Sequence, residues 1–252
     1  MPPDLSVIVT FHREGLLAHP TLVSIERALR VASDAGVACE VLFTLDLADG
    51  LTREIVERWR GLDLRTLNFS AGDVAVVRNA AIEAARGEFV AILDGDDLCG
   101  SNWLREGVRY ARENPGRFVW RPEVVLHFDR FGLVWAPQEL WGRYETLKVA
   151  YSGCWPVYSI LRRDLALSVP FPPIEGRFPF EDWAWSIALL DAGIVNRIVP
   201  GTGLAYRGKR QGSIHQINTA RFPEGRRPTR YFRKLLAWRI AAGKAGLEDS
   251  RR

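Results

Sequence analysis

Three carboxylates fall within four positions at Asp94-Gly95-Asp96-Asp97, directly after the apolar run Phe89-Val90-Ala91-Ile92-Leu93. The run has the length and composition of a strand buried on both faces. Ionised carboxylates are costly to bury without a partner, so the strand is expected to stop where the acids begin. Asp94, Asp96 and Asp97 then sit at the carboxyl end of a central strand, the edge at which open α/β sheets bind ligands. Clustered carboxylates repel one another, and a divalent cation removes that repulsion. The other reading of the same residues is a solvated Asp-Gly turn.

The elements that would position this cluster follow an α/β rhythm. Leu5–Thr10 reads as a buried strand followed by the loop Phe11–Gly15, and Thr21–Gly36 has helical periodicity with Gly36 as its stop. Cys39–Leu45 is a second strand, and again an acid, Asp46, follows it. Leu51–Gly61 reads as a helix and Leu64–Leu67 as a short strand. Asp73 caps a helix over Val74–Arg86, which Gly87 ends. Strands alternating with helices imply a parallel sheet with right-handed crossovers. Three strands of this half end at an acid or polar loop on one edge, a recurrence that weighs more than any single Asp.

Beyond the helix Asn102–Asn114 the pattern changes. Val119–His127 and Gly132–Ala136 read as strands, Pro170–Pro179 as a proline-rich loop, Glu181–Ala192 as a helix and Ile194–Val199 as a late strand. Tyr231–Ala242 reads as a basic amphipathic helix. Of the nine tryptophans, seven lie between residues 103 and 185. Indole faces suit the C–H faces of sugar rings, although core packing is the usual use of a tryptophan.

Composition narrows the function classes. The 252 residues are 47% hydrophobic and 25% charged, enough for one large domain with a sizeable core. The net charge of +4 is mild but uneven. Residues 207 to 239 are rich in Lys and Arg and carry a single Glu, which favours an anionic partner: a diphosphate, a phospholipid surface or, less readily, nucleic acid. With no recognised nucleic-acid module, nucleic-acid binding is not expected. Cys39, Cys99 and Cys154 lack metal-ligand spacing, and their odd number points to reduced thiols and a cytoplasmic setting. The first apolar run follows an acid and is too short for a signal peptide, and no run approaches a membrane span.

Several segments taken together, in order and spacing, carry a resemblance. They are Ser6-Val-Ile-Val-Thr-Phe11, Arg78-Asn79-Ala80-Ala81-Ile82, Ala85-Arg-Gly-Glu-Phe-Val-Ala91, Leu93-Asp-Gly-Asp-Asp97 and Phe180-Glu-Asp-Trp183. Across roughly residues 5 to 215 the chain resembles glycosyltransferase family 2. The resemblance implies the GT-A fold, a Rossmann-like, mainly parallel mixed sheet flanked by helices, with nucleotide-sugar donors and inversion at the anomeric centre. It implies a division into a nucleotide-sugar-binding half (1–100), an acceptor-binding half (101–215) and, beyond them, a basic extension (216–252) carrying the amphipathic helix.

The resemblance also implies roles. Asp96 is the metal ligand, with Asp94 touching ribose or metal and Asp97 supporting both; the metal is Mn²⁺ or Mg²⁺, hard cations suited to carboxylate and phosphate oxygens. Thr10, Phe11, Glu14 and Asp46 lie where the family holds nucleobase and ribose: Phe11 can stack on a base and a carboxylate can accept from an imide N–H or a hydroxyl. Family members often place consecutive acids after the second strand, where this chain has Asp46-Leu47-Ala48-Asp49. Arg78 can reach a phosphate or the acid cluster. Asp182 is the expected base for the acceptor hydroxyl, with Glu181 binding an acceptor hydroxyl. Trp155 and Trp183 are the expected acceptor contacts. Tyr206-Arg207-Gly208-Lys209-Arg210-Gln211-Gly212-Ser213 resembles the family's late Tyr-Arg-x-His-x-x-Ser segment, with Lys209 or Arg210 in place of the histidine, so that a cation meets the diphosphate directly.

The expected function is metal-dependent, inverting transfer of a sugar from a UDP-sugar to a saccharide or lipid-linked saccharide hydroxyl, in polysaccharide, capsule or glycolipid synthesis. The basic helix would lie on an anionic membrane or pack on the domain. Two alternatives stand beside it. A catalytically inactive nucleotide-sugar-binding relative would lack one of the acids, yet Asp94, Asp96 and Asp182 are all present. A sugar nucleotidyltransferase would carry a glycine-rich basic loop after its first strand, which Phe11-His-Arg-Glu-Gly15 is not.

Overall fold

A computed structural model describes residues 2–60, 63–129, 132–135, 149, 155–173 and 180–209. The helix expected over Tyr231–Ala242, and with it the extension 216–252, lies outside these residues. The described strands form one sheet, built from β1 (Leu5–Phe11), β2 (Cys39–Asp46), β3 (Leu64–Phe69), β4 (Phe89–Asp94), β5 (Leu98–Cys99), β6 (Phe118–Phe128), β7 (Leu133–Trp135), β8 (Ser159–Arg162) and β9 (Val195–Arg207). The order is β3-β2-β1-β4-β8-β6-β9-β5, with β7 beside β6. β3, β2, β1 and β4 run parallel, as the sequence rhythm requires, and β8 enters antiparallel against β4.

Helices α1 (Ala18–Asp34), α2 (Gly50–Arg58), α3 (Val74–Ala84), α4 (Trp103–Glu113), α5 (Arg163–Ser168) and α6 (Glu181–Asp191) flank the sheet. Their starts follow local chemistry: Asp49 and Asp73 accept from the backbone N–H of Thr52 and Ala75. Gly36 ends α1 at a φ of 79°, a conformation that glycine adopts without penalty. Among the described residues no helix is long and apolar enough to cross a membrane.

The core runs through β1, β2 and β4. Phe89 to Leu93 are all buried, and each large apolar side chain so placed contributes about 1.5–3 kcal/mol. The strand therefore goes to the centre of the sheet and carries its carboxyl-terminal acids to the edge. At the opposite edge Glu40 is fully buried, accepting from Ser6 Oγ at 2.6 Å and pairing with Arg65 at 2.8 Å. That acid holds strands together and is far from the cluster.

Two glycines differ in function from a simple stop. The helix expected to end at Gly87 ends at Ala84, and Gly87 instead permits a close approach: a Cβ there would lie 2.6 Å from Ser6 N. Gly95 packs the acid turn onto the end of β1, where a Cβ would lie 2.3 Å from Phe11 Cδ1.

Candidate active site

Register sets the first row of the site. Thr10 at the end of β1 is opposite both Thr44 of β2 and Asp94 of β4. Gly95 N donates to Thr10 O at 2.9 Å and turns the chain so that Asp96 and Asp97 follow beside β1. Then β5 pairs antiparallel with β9, Leu98 facing Ala205, which carries Tyr206 to Lys209 back over the acids.

Arg207 closes the acid turn. Its backbone N–H donates to Asp97 Oδ1, and its Nε donates to the Asp96 carbonyl at 2.9 Å. Asp97 is buried, and burial followed by the charges of Asp96 and Asp94 pushes its carboxyl well above the usual range. Lys209 Nζ lies 2.7 Å from Asp96 Oδ2 and 4.0 Å from Glu14 Oε1. The Asp96 carboxyl is also raised, by burial first, with Lys209 pulling it down and Asp94 pushing it up. Glu14, folded so that His12 N–H donates to it at 2.5 Å, is pushed up to about 7 by burial.

The second wall comes from α3 and α6. Arg78, 3% exposed, reaches Asp94 Oδ1 at 2.6 Å and Glu181 Oε1 at 2.9 Å, and its guanidinium sits 5.4 Å from the Phe171 ring centre. Burial works against its charge, but the two carboxylates outweigh burial and hold it cationic. One guanidinium thus joins the strand-end acid to the helix-start pair. Asn79 beside it exchanges both hydrogen bonds with the Phe171 backbone, at 2.9 and 2.8 Å, and so ties α3 to the segment leading to α6. Asp182 Oδ1 accepts from Trp183 N at 2.6 Å. Burial, then the neighbouring Glu181 charge, pushes Asp182 up to about 7, while Arg78 acts in the other direction. The Tyr206 hydroxyl is raised by burial and by Asp97, Asp94, Asp96 and Asp182 together, so these acids share one field although they come from β4, the turn after it and α6.

Several expected residues are used differently. Phe11 is fully buried, edge-on to Phe43 with ring centres 5.4 Å apart and against Gly95, so it offers no face to a base. Trp155 and Trp183 pack with Val149 at 2% and 5% exposure, and the Trp183 indole N–H donates to the Val149 carbonyl. Their faces are taken by protein. Asp46 is buried and accepts from the N–H groups of Ala71 and Gly72 at 2.8 and 3.2 Å, which fixes the loop before α3. The Thr10 hydroxyl is buried at this edge with no hydrogen-bond partner. Arg210 lies outside the described residues.

Sequence reasoning missed Arg121. This fully buried β6 arginine donates to Asn196 Oδ1 at 2.9 Å and to the Tyr158 carbonyl at 3.1 Å. Burial lowers its pKa to about 9, and the nearby Asp182 charge offsets only part of that. An arginine directly after the apolar Phe118-Val119-Trp120 was the available signal, because such a residue is costly to bury without a purpose.

The donor chemistry suits a hard divalent cation. Asp94 and Asp96 are partly exposed carboxylates, at 28% and 18%. Among the described residues no group of three or more His, Cys, Asp or Glu converges as a ready cage. Mg²⁺ and Mn²⁺ commonly take one or two carboxylates and complete their shell with water and substrate phosphate, so Asp94 and Asp96 fit that mode.

The chain is similar to known bacterial proteins, TuaG and TarS among them. TuaG of Bacillus subtilis (strain 168), named as a teichuronic acid biosynthesis glycosyltransferase, is 28% identical over 162 residues, covering 61% of each chain. The crystal structure of S. aureus TarS 1-349 matches with a TM-score of 0.63 at 20% identity, covering 81% of this chain and 60% of that one. The same TarS fragment in complex with UDP-GlcNAc matches with a TM-score of 0.63 at 19% identity, covering 84% and 60%. The chain therefore spans about three fifths of these relatives' length. The likeness to TarS shows the expected GT-A fold. The sequence pattern of the family described as Glycosyl transferase family 2 matches residues 6–166, and on that match the chain belongs to this family.

Proposed function

We propose that this protein transfers a sugar from a UDP-sugar donor to a hydroxyl of a saccharide or lipid-linked saccharide, with inversion, in the synthesis of a cell-surface polysaccharide or glycolipid. Family membership, the kinship with TuaG and the UDP-GlcNAc complex of TarS support the class of reaction. The observation that carries the assignment to these residues is the Arg78 bridge, which brings Asp94 and the Glu181-Asp182 pair into one site.

Asp96 and Asp94 would hold Mn²⁺ or Mg²⁺, which as a Lewis acid neutralises charge growing on the diphosphate. The protein groups do the rest. Thr10 and Glu14 meet the nucleoside, and Asp46 shapes the loop beside it. Arg78 fixes Asp94 and holds Glu181 beside it, where Glu181 binds an acceptor hydroxyl. Asp182 takes the proton from that hydroxyl as it attacks the anomeric carbon. A base whose pKa lies near 7 is well matched to this task at neutral pH. The adjacent positions 181 and 182 point about 100° apart on the helix, so the two acids divide the work.

We place the reaction in the cytoplasm. The described thiols Cys39 and Cys99 are free, and burial pushes each up to about 12, which makes them unreactive. The basic segment 216–252 would bring a lipid-linked acceptor near by peripheral contact with an anionic membrane. The test of the assignment is thermal unfolding with Mn²⁺ and a panel of nucleotides and nucleotide-sugars. UDP and one UDP-sugar should raise the melting temperature, since a ligand of the native state stabilises it. Equal, absent shifts for every uridine nucleotide would refute the donor class.

A further inference from the structure

Lys209 contacts the acid expected to hold the metal. Its ammonium is 2.7 Å from Asp96 Oδ2 and 4.0 Å from Glu14 Oε1, so one cation is shared by the turn after β4 and the loop after β1. The backbone that carries it is fixed: Arg207 N–H donates to Asp97, Gly208 N–H donates to the Phe128 carbonyl at 2.9 Å, and Lys209 N–H donates to the Arg207 carbonyl at 3.1 Å. The side chain is another matter. Lys209 is 22% exposed where Arg78 is 3% exposed, and lysine carries a compact, hydrated charge on a flexible four-carbon stem. Its stem gives the charge a reach that the buried guanidinium of Arg78 lacks.

A diphosphate brings more negative charge than one carboxylate, so an ammonium beside it is drawn from Asp96 to the phosphate oxygens. A metal ion arriving alone must instead compete with that ammonium for the same carboxylate. We propose that Lys209 is a tethered counter-ion that occupies Asp96 in the donor-free protein and passes to the diphosphate when the donor enters. The proposal rests on the reading of these residues as a nucleotide-sugar site with Asp96 as metal ligand. It goes further in coupling the two ligands: the donor frees Asp96 for the metal, so Mn²⁺ without nucleotide binds weakly and both are retained together.

The test uses the full chain without donor. Mn²⁺ alone is titrated into wild type, Lys209→Met, Lys209→Gln and Lys209→Arg, followed by the free-Mn²⁺ electron paramagnetic resonance signal. Inorganic pyrophosphate and UDP are then titrated calorimetrically in chelator. Loss of one charge-assisted contact predicts about a tenfold gain in Mn²⁺ affinity for Lys209→Met and Lys209→Gln, and about a tenfold loss of metal-free pyrophosphate and UDP affinity. Lys209→Arg should keep the pyrophosphate affinity. Mn²⁺ affinity unchanged or lowered in both uncharged variants overturns the exchange. If UDP binding with Mn²⁺ still depends on Asp96 in that case, the functional reading stands and only the exchange fails. Wild type that binds neither UDP nor pyrophosphate with or without Mn²⁺ overturns both.

Discussion

Replacing Asp182 by Asn separates a base from a structural acid through two readouts that move in opposite directions. The amide is nearly isosteric and keeps the oxygen that accepts from Trp183 N at 2.6 Å, so the start of α6 is preserved. It cannot take a proton, and general-base catalysis is typically worth 10²–10⁴-fold, so turnover should fall by that order. Stability should rise. The Asp182 carboxyl moves from 3.8 to about 7 through burial and the Glu181 charge, so the native state favours its protonated form. Its favourable contribution is complete below about pH 4 and is lost as pH rises to about 7. At pH 8 wild type carries a strained carboxylate that the variant lacks. Because solvent still reaches this half-buried side chain, the gain at pH 8 is on the order of 1–2 kcal/mol. Chemical denaturation at pH 8 and pH 5 beside initial rates is the assay. Asp182→Asn should be more stable at pH 8, with the gap narrowing at pH 5, and the acid limb of wild-type kcat/KM should have an apparent pKa near 7. A variant that keeps more than about half of wild-type turnover, against the loss expected of a base, or that is less stable at pH 8, refutes the reasoning.

Other perturbations test the supports. Arg78→Met leaves Asp94 and Glu181 facing each other without their shared cation, and breaking a buried pair predicts about 3–5 kcal/mol lost in denaturant unfolding together with weaker UDP binding. Gly95→Ala drives a methyl group into Phe11 and should cost about 1–3 kcal/mol by thermal unfolding, with donor affinity falling as the acid turn shifts. For the basic segment 216–252, sedimentation should show binding to anionic vesicles and little to neutral ones; equal binding to both, or to neither, removes the electrostatic membrane contact.

The first half of the fold was legible because its signals are local. Buried runs of strand length mark β1, β2 and β4, and Asp73 as a cap and Gly36 as a stop bound the helices α3 and α1. In the second half β6, β7, α4 and α6 fall within a residue or two of where the sequence puts them, but the strand order was not legible, because it comes from long-range pairing. β9 runs through Pro200 and Gly201, which read as a break, and it is held by β6 across a register shift at Pro122 and Val124. β5 is two residues long and has no pattern of its own, while β8 takes its place from β4 and β6. The acid edge was visible, yet its organising contact was not, since Arg78 and Glu181 are 103 residues apart. Aromatic residues misled for the same reason: whether Phe11, Trp155 or Trp183 faces a ligand or the core is settled by what packs against it, and all three are buried.

The central claim is that the acids at the end of β4 bind a nucleotide-sugar for transfer. UDP release from a panel of UDP-sugars, with Mn²⁺ and a saccharide acceptor, measures it in wild type, in EDTA and in Asp96→Ala. The account predicts acceptor-stimulated release from at least one UDP-sugar by wild type, abolished by EDTA and lowered by about a hundredfold or more in Asp96→Ala, the scale of removing a group that stabilises transition-state charge. Release that persists in EDTA and in Asp96→Ala at the wild-type rate would contradict it.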